Sequence, residues 1–419
     1  MLPQALLFVE VPQYGISFLD EAFADLGCQK ILVIDAELLR TGKVSREQLA
    51  DYDAVFPTAL QNETALQLSQ AEIARSYQVL AVLGFSEISV LPAAILAEAF
   101  GVIGIGTEVA RACRNKLTMI EAFTHAGIKC PRFAVTEEGD NSDELVASLG
   151  GFPVICKPLM GFASFGVIKA GCRSEFDHAL RRIKRSTRLL MSRYYGLDES
   201  ASPAQVLIQS FVPGMEVAID GYVQAGKSHI LAIIDKPDVS QGPYFADAMH
   251  ITPTALEPAL IAIIEENVRA SVAAVGLDNS PFHIEARIHE GEFYLLELAA
   301  RVAFVRCLRM AQGIDPLQVA IALRLGKEPD VEPKWHRHAG AYCITPQEAG
   351  IFRSLENRER LLDDPRVIDV PIFASYGQRV APAPESTGDI AHVLVCTDTY
   401  QETLEALISA KRLLRVAVD

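Results

Sequence analysis

The chain has 419 residues, half of them hydrophobic, and a formal net charge of −15 at pH 7. Single hydrophobic cores stop growing at about 250–300 residues, so this length predicts several domains. The acidic balance argues against a general nucleic-acid binder and against a protein of anionic membrane surfaces, although a few local lysines can still hold a nucleotide's phosphates.

The eight cysteines are scattered and include no CxxC pair. This pattern predicts reduced, mostly buried thiols in a cytoplasm, and neither a disulfide framework nor a zinc site. The first residues lack a basic segment and reach Glu10 early, so we expect no signal peptide. The longest apolar stretch, residues 91–106, is broken by Pro92 and Glu98 and is too short to span a bilayer.

Short apolar segments alternate with helical patterns near the start of the chain. We expect strands at residues 5–11, 30–35, 54–56 and 78–84, and helices at residues 16–26 and 63–76. This alternation predicts a doubly wound parallel sheet. Ligands of such sheets bind beyond the carboxyl ends of the strands, so Phe85, Ser86 and Glu87 are candidate pocket residues. The alternative for each is an ordinary strand-to-helix connection.

Residues 150–170 read GGFPVICKPLMGFASFGVIKA. A buried strand brings Lys157 to its end, and a loop of small residues with Gly161, Ser164 and Gly166 leads into a second strand. Small residues let backbone N–H groups approach an anion closely, so the segment can fold over a phosphate chain. A plain glycine-rich turn is the alternative. Lys116, near the start of a predicted helix, is either a solvated lysine or a phosphate contact.

Residues 205–223 predict strand, turn and strand. Ser210 and Val212, at the end of the first strand, can offer backbone groups to an adenine edge, and Glu216 can bind ribose hydroxyls. The alternative is a plain hairpin with one exposed acid. A proline-bounded loop at residues 243–253 then carries Asp247 and His250, which either bind an ammonium group or are simply exposed.

Residues 282–301, FHIEARIHEGEFYLLELAAR, predict a β-hairpin. If the loop is residues 290–292, Glu285 lies opposite Glu297, and their Cβ atoms are then only about 4.5–5.5 Å apart. Carboxylates this close repel unless a cation or a shared proton lies between them. Mg²⁺ carrying a nucleotide's phosphates fits this arrangement, with Arg301 beside it to bind developing negative charge. Solvated acids on a surface hairpin are the alternative.

The order of these motifs resembles the ATP-grasp superfamily of carboxylate–amine ligases. The resemblance rests on Asn115-Lys116, GFPVICKP, IQSFVPGMEV, the DKP of residues 235–237 and the E…ELAAR hairpin, and it covers residues 84–326 closely. The ELAAR ending and the acid-x-x-His pair are similar to the L-amino-acid ligases, the dipeptide formers of the bacilysin synthetase type.

The resemblance implies an α/β ATP-grasp fold in three parts. These are an N-terminal Rossmann-like domain with a doubly wound parallel sheet (1–114), an ATP-grasp domain (115–329) with an α+β lid subdomain (about 130–212), and a C-terminal α/β domain (330–419). It also implies a cytoplasmic homodimer that acts on small amino-acid substrates, without nucleic-acid or membrane partners.

The resemblance further implies a role for each matched residue. The residues implied to hold ATP are Lys116 and Lys157 for the phosphates, Gly161, Ser164 and Gly166 for the lid, Gln209, Ser210, Phe211 and Val212 for adenine, and Glu216 for ribose. The implied metal ligands are Glu285 and Glu297, with two Mg²⁺ ions expected and Mn²⁺ as a substitute. The implied catalytic residues are Lys236, at the γ-phosphate, and Arg301. The residues expected to face substrate are Ser86, Glu87, Asp247, His250 and Val305.

The implied reaction is activation of an amino-acid carboxylate as an acyl phosphate, followed by attack of a second substrate's amine. An ATP-grasp carboxylase or purine-pathway-like ligase of the biotin-carboxylase type is the alternative among enzymes. A nucleotide-binding protein without turnover is the alternative from another class.

Overall fold

The computed structural model describes the whole chain except residues 12–26, 42–43, 137–139, 162–163, 196–204, 239–242, 246–247 and 383–387, together with the side chains of residues 189–195. The helix expected at 16–26 and the predicted site residue Asp247 therefore lie outside the described residues. Within the described part of the chain, no helix is long and apolar enough to cross a membrane.

The N-terminal sheet is parallel, as the alternating pattern predicted. Its strands are β1 (Gln4–Val9), β2 (Gln29–Asp35), β3 (Ala54–Thr58) and β4 (Gln78–Leu83), in the order β3-β2-β1-β4. Alternate residues of β1 enter two separate cores, with Leu6 and Phe8 on one face and Leu7 and Val9 on the other. Burial on both faces explains the near-continuous apolar sequence.

Among the described residues, five helices accompany this sheet and lead from it. They are α1 (Ala36–Arg40), α2 (Arg46–Ala50), α3 (Glu63–Ile73), α4 (Val90–Phe100) and α5 (Thr107–Arg114). Helix α6 (Lys116–His125) follows directly and begins at Asn115, whose side-chain oxygen accepts hydrogen bonds from the N–H groups of Leu117 and Thr118. This asparagine cap fixes where the helix starts and so positions Lys116 in its first turn.

The lid sheet is small and antiparallel. Its strands are β5 (Phe133–Val135), β6 (Val154–Pro158), β7 (Ile168–Ala170) and β8 (Val206–Ser210), in the order β5-β8-β6-β7. Helices α7 (Ser142–Ser148) and α8 (Arg173–Tyr195) accompany it, and Phe176 of α8 is fully buried in the lid core.

The central sheet has eight strands among the described residues and extends into the C-terminal region. Its strands are β9 (Met215–Gln224), β10 (Lys227–Asp235), β11 (Met249–Thr252), β12 (Ser280–His289), β13 (Glu292–Ala299), β14 (His338–Ile344), β16 (Val367–Asp369) and β18 (Ala391–Thr397), in the order β13-β12-β9-β10-β11-β14-β18-β16. Helices α9 (Pro258–Ala274), α10 (Val305–Gln312) and α11 (Pro316–Arg324) pack against it.

The remaining C-terminal elements form a separate core. They are β15 (Gly350–Glu356), β17 (Arg379–Val380), β19 (Arg415–Val418), α12 (Arg358–Leu362) and α13 (Tyr400–Leu413). Strands β17, β15 and β19 pair in that order, and α13 packs its buried Leu407 among residues of β14, β15 and β18.

The strand, turn and strand predicted at residues 205–223 are confirmed as β8 and β9. The alternative of a plain hairpin is excluded, because β8 pairs within the lid sheet and β9 within the central sheet. At the turn, Gly214 has a φ of +97°, and a Cβ there would lie 2.2 Å from the carbonyl oxygen of Ile288. The loop predicted at residues 243–253 also contains strand β11, so His250 is a buried strand residue and not an exposed loop histidine.

Candidate active site

A cavity of about 640 Å³ lies where the lid sheet, the central sheet and the carboxyl end of β4 meet. Most of the predicted site residues line it: Ser86, Glu87, Lys116, Lys157, Gly161, Ser164, Gln209, Ser210, Phe211, Val212, Glu216, His250, Glu285, Glu297, Arg301 and Val305. Gly166 and Lys236 are not among its lining residues. Residues scattered over more than two hundred positions of the sequence therefore share one cavity.

Glu285 and Glu297 lie directly opposite each other on β12 and β13, as predicted. The predicted loop was one residue too long, because β12 ends at His289 and β13 begins at Glu292. A register shift between Glu285 and Ala286 restores the pairing by leaving Leu296 as an extra residue on β13.

Two lysines lie beside this carboxylate pair. Lys236 Nζ is 2.8 Å from Glu285 Oε1, and Lys116 Nζ is 2.9 Å from Glu297 Oε1. Burial acts to raise the pKa of Glu285, but Lys236 and His283 together hold it well below its ordinary value. Carboxylate oxygens are the ligands that a hard divalent cation prefers, and Glu285 is held in its ionised form. The pair of Glu285 and Glu297 therefore fits the Mg²⁺ that the fold family implies.

Lys236 lies behind the cavity wall and connects two acids. Its Nζ is 3.0 Å from Glu216 Oε1 as well as 2.8 Å from Glu285 Oε1, and the side chain is almost fully buried. Glu216 also accepts a hydrogen bond from Arg287 Nε at 3.2 Å. Glu216 therefore pairs with two positively charged side chains, Lys236 and Arg287. Its predicted contact with ribose stays a prediction.

Lys116 and Lys157 approach the carboxylates from helix α6 and strand β6. Lys116 Nζ also donates to the carbonyl oxygen of Gly161 at 3.3 Å, which ties the start of the lid loop to the central hairpin. Burial lowers the pKa of Lys157 to about 8. A buried ammonium group without a bound anion is costly, which suits a position that receives a phosphate.

The end of β8 forms a slot with an aromatic wall. The Phe211 ring has Lys169 Nζ 3.9 Å and the Arg287 guanidinium 5.2 Å from its centroid. Arg287 also donates to the carbonyl oxygen of Val212 at 2.7 Å. The backbone N–H of Ser210 donates to the carbonyl oxygen of Arg132 at 2.8 Å, and the predicted contact of the Ser210 and Val212 backbone groups with adenine stays a prediction.

Glu87 and Arg301 form a buried ion pair at the other side of the carboxylates. Arg301 Nε donates to Glu87 Oε2 at 2.6 Å, and Arg114 contacts the other carboxylate oxygen of Glu87. Burial raises the pKa of Glu87, but the two arginines outweigh it and bring the value to about 2. Glu87 lines the cavity and holds Arg301 in place, and its predicted contact with substrate stays a prediction. Ser86, the preceding residue, donates a hydrogen bond from its hydroxyl group to the carboxylate of Glu10.

The wall near the start of α10 combines aromatic and imidazole rings. The His250 ring lies 4.3 Å from the Phe304 ring, and His283 lies 5.5 Å from it. Phe304 adopts a φ of +40°, and Val305 follows it as the first residue of α10. Burial, with a smaller contribution from Lys236, keeps the pKa of His250 well below its ordinary value.

Three site residues were missed in the sequence: Arg114, His283 and Arg287. His283 and Arg287 flank Glu285 at a spacing of two, so strand alternation places all three on one face, and this signal was present. His283 Nδ1 contacts Asp220 Oδ1 at 2.7 Å across the sheet. Arg114 directly precedes Asn115-Lys116, but nothing in that spacing indicates its contact with Glu87.

Comparison with known proteins identifies two domains. An ATP-grasp domain matches residues 150–308, and an L-amino acid ligase C-terminal domain 2 matches residues 342–419. The chain is 26% identical to the alanine–anticapsin ligase of Bacillus subtilis, in a match that covers 62% of this chain and 57% of that protein. The match thus spans just over half the length of this curated relative.

Solved structures share the fold. An L-amino acid ligase from Bacillus licheniformis has a TM-score of 0.81 at 20% identity, with both chains fully covered. A phosphoribosylglycinamide synthetase from Anaerococcus prevotii has a TM-score of 0.70 at 16% identity, covering 99% of this chain and 100% of that one. The predicted ATP-grasp fold and the resemblance to ligases are confirmed, and the chain is homologous to named ligases.

Proposed function

Because the chain joins an ATP-grasp domain to an L-amino acid ligase C-terminal domain, we propose that it is an ATP- and Mg²⁺-dependent ligase that condenses two amino acids. It would activate the carboxylate of one amino acid as an acyl phosphate and join it to the amine of a second, releasing ADP and phosphate. The observation that carries this proposal is the facing pair Glu285 and Glu297, with Lys116 and Arg301 beside it on one cavity wall.

The first step transfers phosphate. A carboxylate oxygen of the first amino acid attacks the γ-phosphorus of ATP, and the bond from that phosphorus to the ADP oxygen breaks. Lys116 and Lys157 would hold the phosphates in line, which supplies much of the catalysis in reactions of this kind. Mg²⁺, held by Glu285 and Glu297, would neutralise charge on the transferring group.

The second step forms the amide. The amine nitrogen of the second substrate attacks the acyl carbon, loses a proton, and phosphate leaves. Arg301 would stabilise the negative oxygen of the tetrahedral intermediate, and Glu87 would keep the guanidinium aimed at it. The lid, assigned to about residues 130–212, would keep water from hydrolysing the acyl phosphate.

The test is phosphate release from ATP and Mg²⁺ with the twenty amino acids, singly and in pairs, and mass spectrometry of the products. We expect release that depends on a pair, with a product of condensed mass. Release that depends on bicarbonate would indicate a carboxylase instead. ATP binding without any release would indicate a nucleotide-binding protein without turnover.

Three finer proposals follow from the family resemblance. Two Mg²⁺ ions act together, Mn²⁺ replaces them, and the protein is a homodimer. The dependence of phosphate release on free Mg²⁺ concentration tests the first proposal, and replacing Mg²⁺ by Mn²⁺ in the same assay tests the second. Measuring mass by light scattering after gel filtration tests the third.

A further inference from the structure

Three neighbouring strands of the central sheet bring a thiol and two imidazoles to one wall of the cavity. Cys343 on β14 is directly paired with His392 on β18. His250 on β11 is paired with Ala341, two residues before Cys343. Paired residues and residues two apart share a face of a sheet, so His250, Cys343 and His392 lie on the same face. All three line the cavity.

The donor atoms are close together. One potential ligand atom from each of Cys343, Asp389 and His392 lies within 4.8 Å of the other two. His250 Nδ1 is 3.8 Å from Cys343 Sγ, and His392 Nε2 is 2.8 Å from Asp389 Oδ2. A tetrahedral zinc ion has bonds of about 2.3 Å to sulfur and about 2.0–2.1 Å to nitrogen, which separates those two atoms by about 3.5 Å. Cys343, Asp389 and His392 therefore supply three donors that small side-chain adjustments would bring onto one ion, with His250 next to the sulfur.

His250 is a neighbour of this cluster. It is 2% exposed, its Nδ1 faces Cys343 Sγ, and its ring packs against Phe304. Its other ring nitrogen, Nε2, is buried without a hydrogen-bond partner among the described residues.

The donor set also selects a class of metal. Sulfur and imidazole nitrogen favour zinc and similar borderline ions, whereas the all-oxygen pair Glu285 and Glu297 favours magnesium. We propose that Cys343, Asp389 and His392 bind one Zn²⁺ or Co²⁺ ion at the C-terminal wall of the cavity, with His250 next to the sulfur ligand. Binding releases the thiol proton of Cys343 and the proton shared by His392 and Asp389, because metal ligands must be deprotonated.

This site goes beyond the proposed ligase activity and does not rest on it. If the proposal holds, it overturns the expectation that the chain has no zinc site. That expectation followed from the absence of a CxxC pair, but here the ligands come from separate strands and only the sheet pairing brings them together.

The test uses Co²⁺ as a spectroscopic probe on the full chain under reducing conditions. Exposed Cys172 is replaced by Ser in every sample, so that a surface thiol adds no signal. We expect one bound Co²⁺ per chain, with a thiolate-to-cobalt absorption band and the visible bands of a tetrahedral ion. Excess Zn²⁺ should displace the ion and excess Mg²⁺ should not.

Two variants and a control assign the ligands. Cys343→Ser should abolish the thiolate band, and His392→Gln should weaken Co²⁺ binding by at least about 10–100-fold while leaving the thiol in place. Cys396→Ser is the matched control, because Cys396 lies on the same strand as His392 but donates to the carbonyl oxygen of Met310. Circular dichroism checks folding.

The outcomes separate cleanly. Absence of a thiolate band in the parent protein, or a band that survives Cys343→Ser, would overturn the proposal. An equal loss of the thiolate band in the Cys396→Ser control would also overturn the proposal. If Cys343→Ser does not fold, undiminished binding to folded His392→Gln is the contradicting result. Ligase turnover enters none of these readouts.

Discussion

Glu87 and Arg301 are joined by a 2.6 Å hydrogen bond, which connects the segment after β4 to the segment after β13. The pair couples two sheets that the chain builds from distant segments. Because Glu87 is almost fully buried and also contacts Arg114, its charge compensates two guanidinium groups.

Glu87→Gln keeps the shape of this side chain and removes its charge. We expect kcat to fall by about 100-fold with little change in ATP affinity, since a misplaced Arg301 no longer meets the developing negative charge. Steady-state kinetics with the substrate pair found by product analysis measures this. Glu108→Gln, in an exposed pair with Arg111, is the control and should leave kcat unchanged. Weaker ATP binding at unaltered kcat would count against the role given to Glu87.

Glu297→Gln removes one of the two facing carboxylates. We expect turnover to fall by more than about 100-fold while the protein stays folded, because loss of a metal ligand costs more than loss of its outer partners. Phosphate release and thermal unfolding are the measurements. Glu292→Gln changes an exposed acid of the same strand and should be near normal. Normal turnover of Glu297→Gln, or its unfolding, would contradict the assignment.

Lys157 gives the protein an alkaline limit for ATP binding. Burial lowers its pKa from 10.5 to about 8, so the ammonium charge is lost as the pH rises through 8. We expect ATP affinity to weaken by about tenfold between pH 7 and pH 10, because a hydrogen bond to a charged group contributes about 1.5–3 kcal/mol. Lys157→Arg should flatten this dependence, as measured by calorimetric titration.

The stability of the fold should increase with pH, whereas the affinity for ATP should decrease. The unfolded chain holds the lysine proton up to about pH 10.5, whereas the folded chain releases it near pH 8. This group therefore adds stability as the pH rises between these values. A loss of ATP binding that follows unfolding of the protein would rule out the explanation through Lys157.

His283 and Asp220 should stabilise the fold below neutral pH. Burial acts to lower the pKa of His283, but Asp220 at 2.7 Å raises it from 6.5 to about 9. The contribution is complete below pH 6.5 and is lost as the pH rises through about 9. We expect Asp220→Asn to lower the free energy of unfolding by about 2–4 kcal/mol at pH 6.

Urea unfolding at pH 6 and pH 9.5 measures this effect. The difference between the parent and Asp220→Asn should be larger at pH 6. His289→Gln, on the same strand but partly exposed, should show little difference at either pH. An equal loss of unfolding free energy at pH 6 and at pH 9.5 would show that Asp220 acts by packing and not through its charge.

The hairpin shows how much of the site the sequence could predict. The pairing of Glu285 with Glu297 was predicted on the assumption of a loop at residues 290–292, which was one residue too long. The extra residue Leu296 compensates for that error. A bulge depends on local packing on both faces of the sheet and has no residue signature of its own here, so its position could not be predicted.

Contacts between distant segments explain the other misses. The sequence predicted strand, turn and strand at residues 205–223 but could not exclude a plain hairpin, and only the tertiary pairings show that the chain passes from one sheet to another there. Likewise, the pairing of Arg114 with Glu87 depends on how α5 lies against the end of β4. The residue types predicted which functional groups the site contains. Tertiary packing determined which of these side chains contact one another.

Strand β11 joins the two parts of the central sheet. It pairs with β14 through four residues, from Met249 to Thr252, but with β10 only at Asp235 and Ile251. A fragment cut at 330 would therefore keep β11 without its main neighbour, and an unpaired apolar edge of this kind invites aggregation. A cut before residue 249 would keep β11 with β14, but it would separate β9 from β12, which pair from Ser280 to Ile288. The weak seam between β10 and β11 therefore divides the sheet in space and does not mark a point at which the chain can be cut.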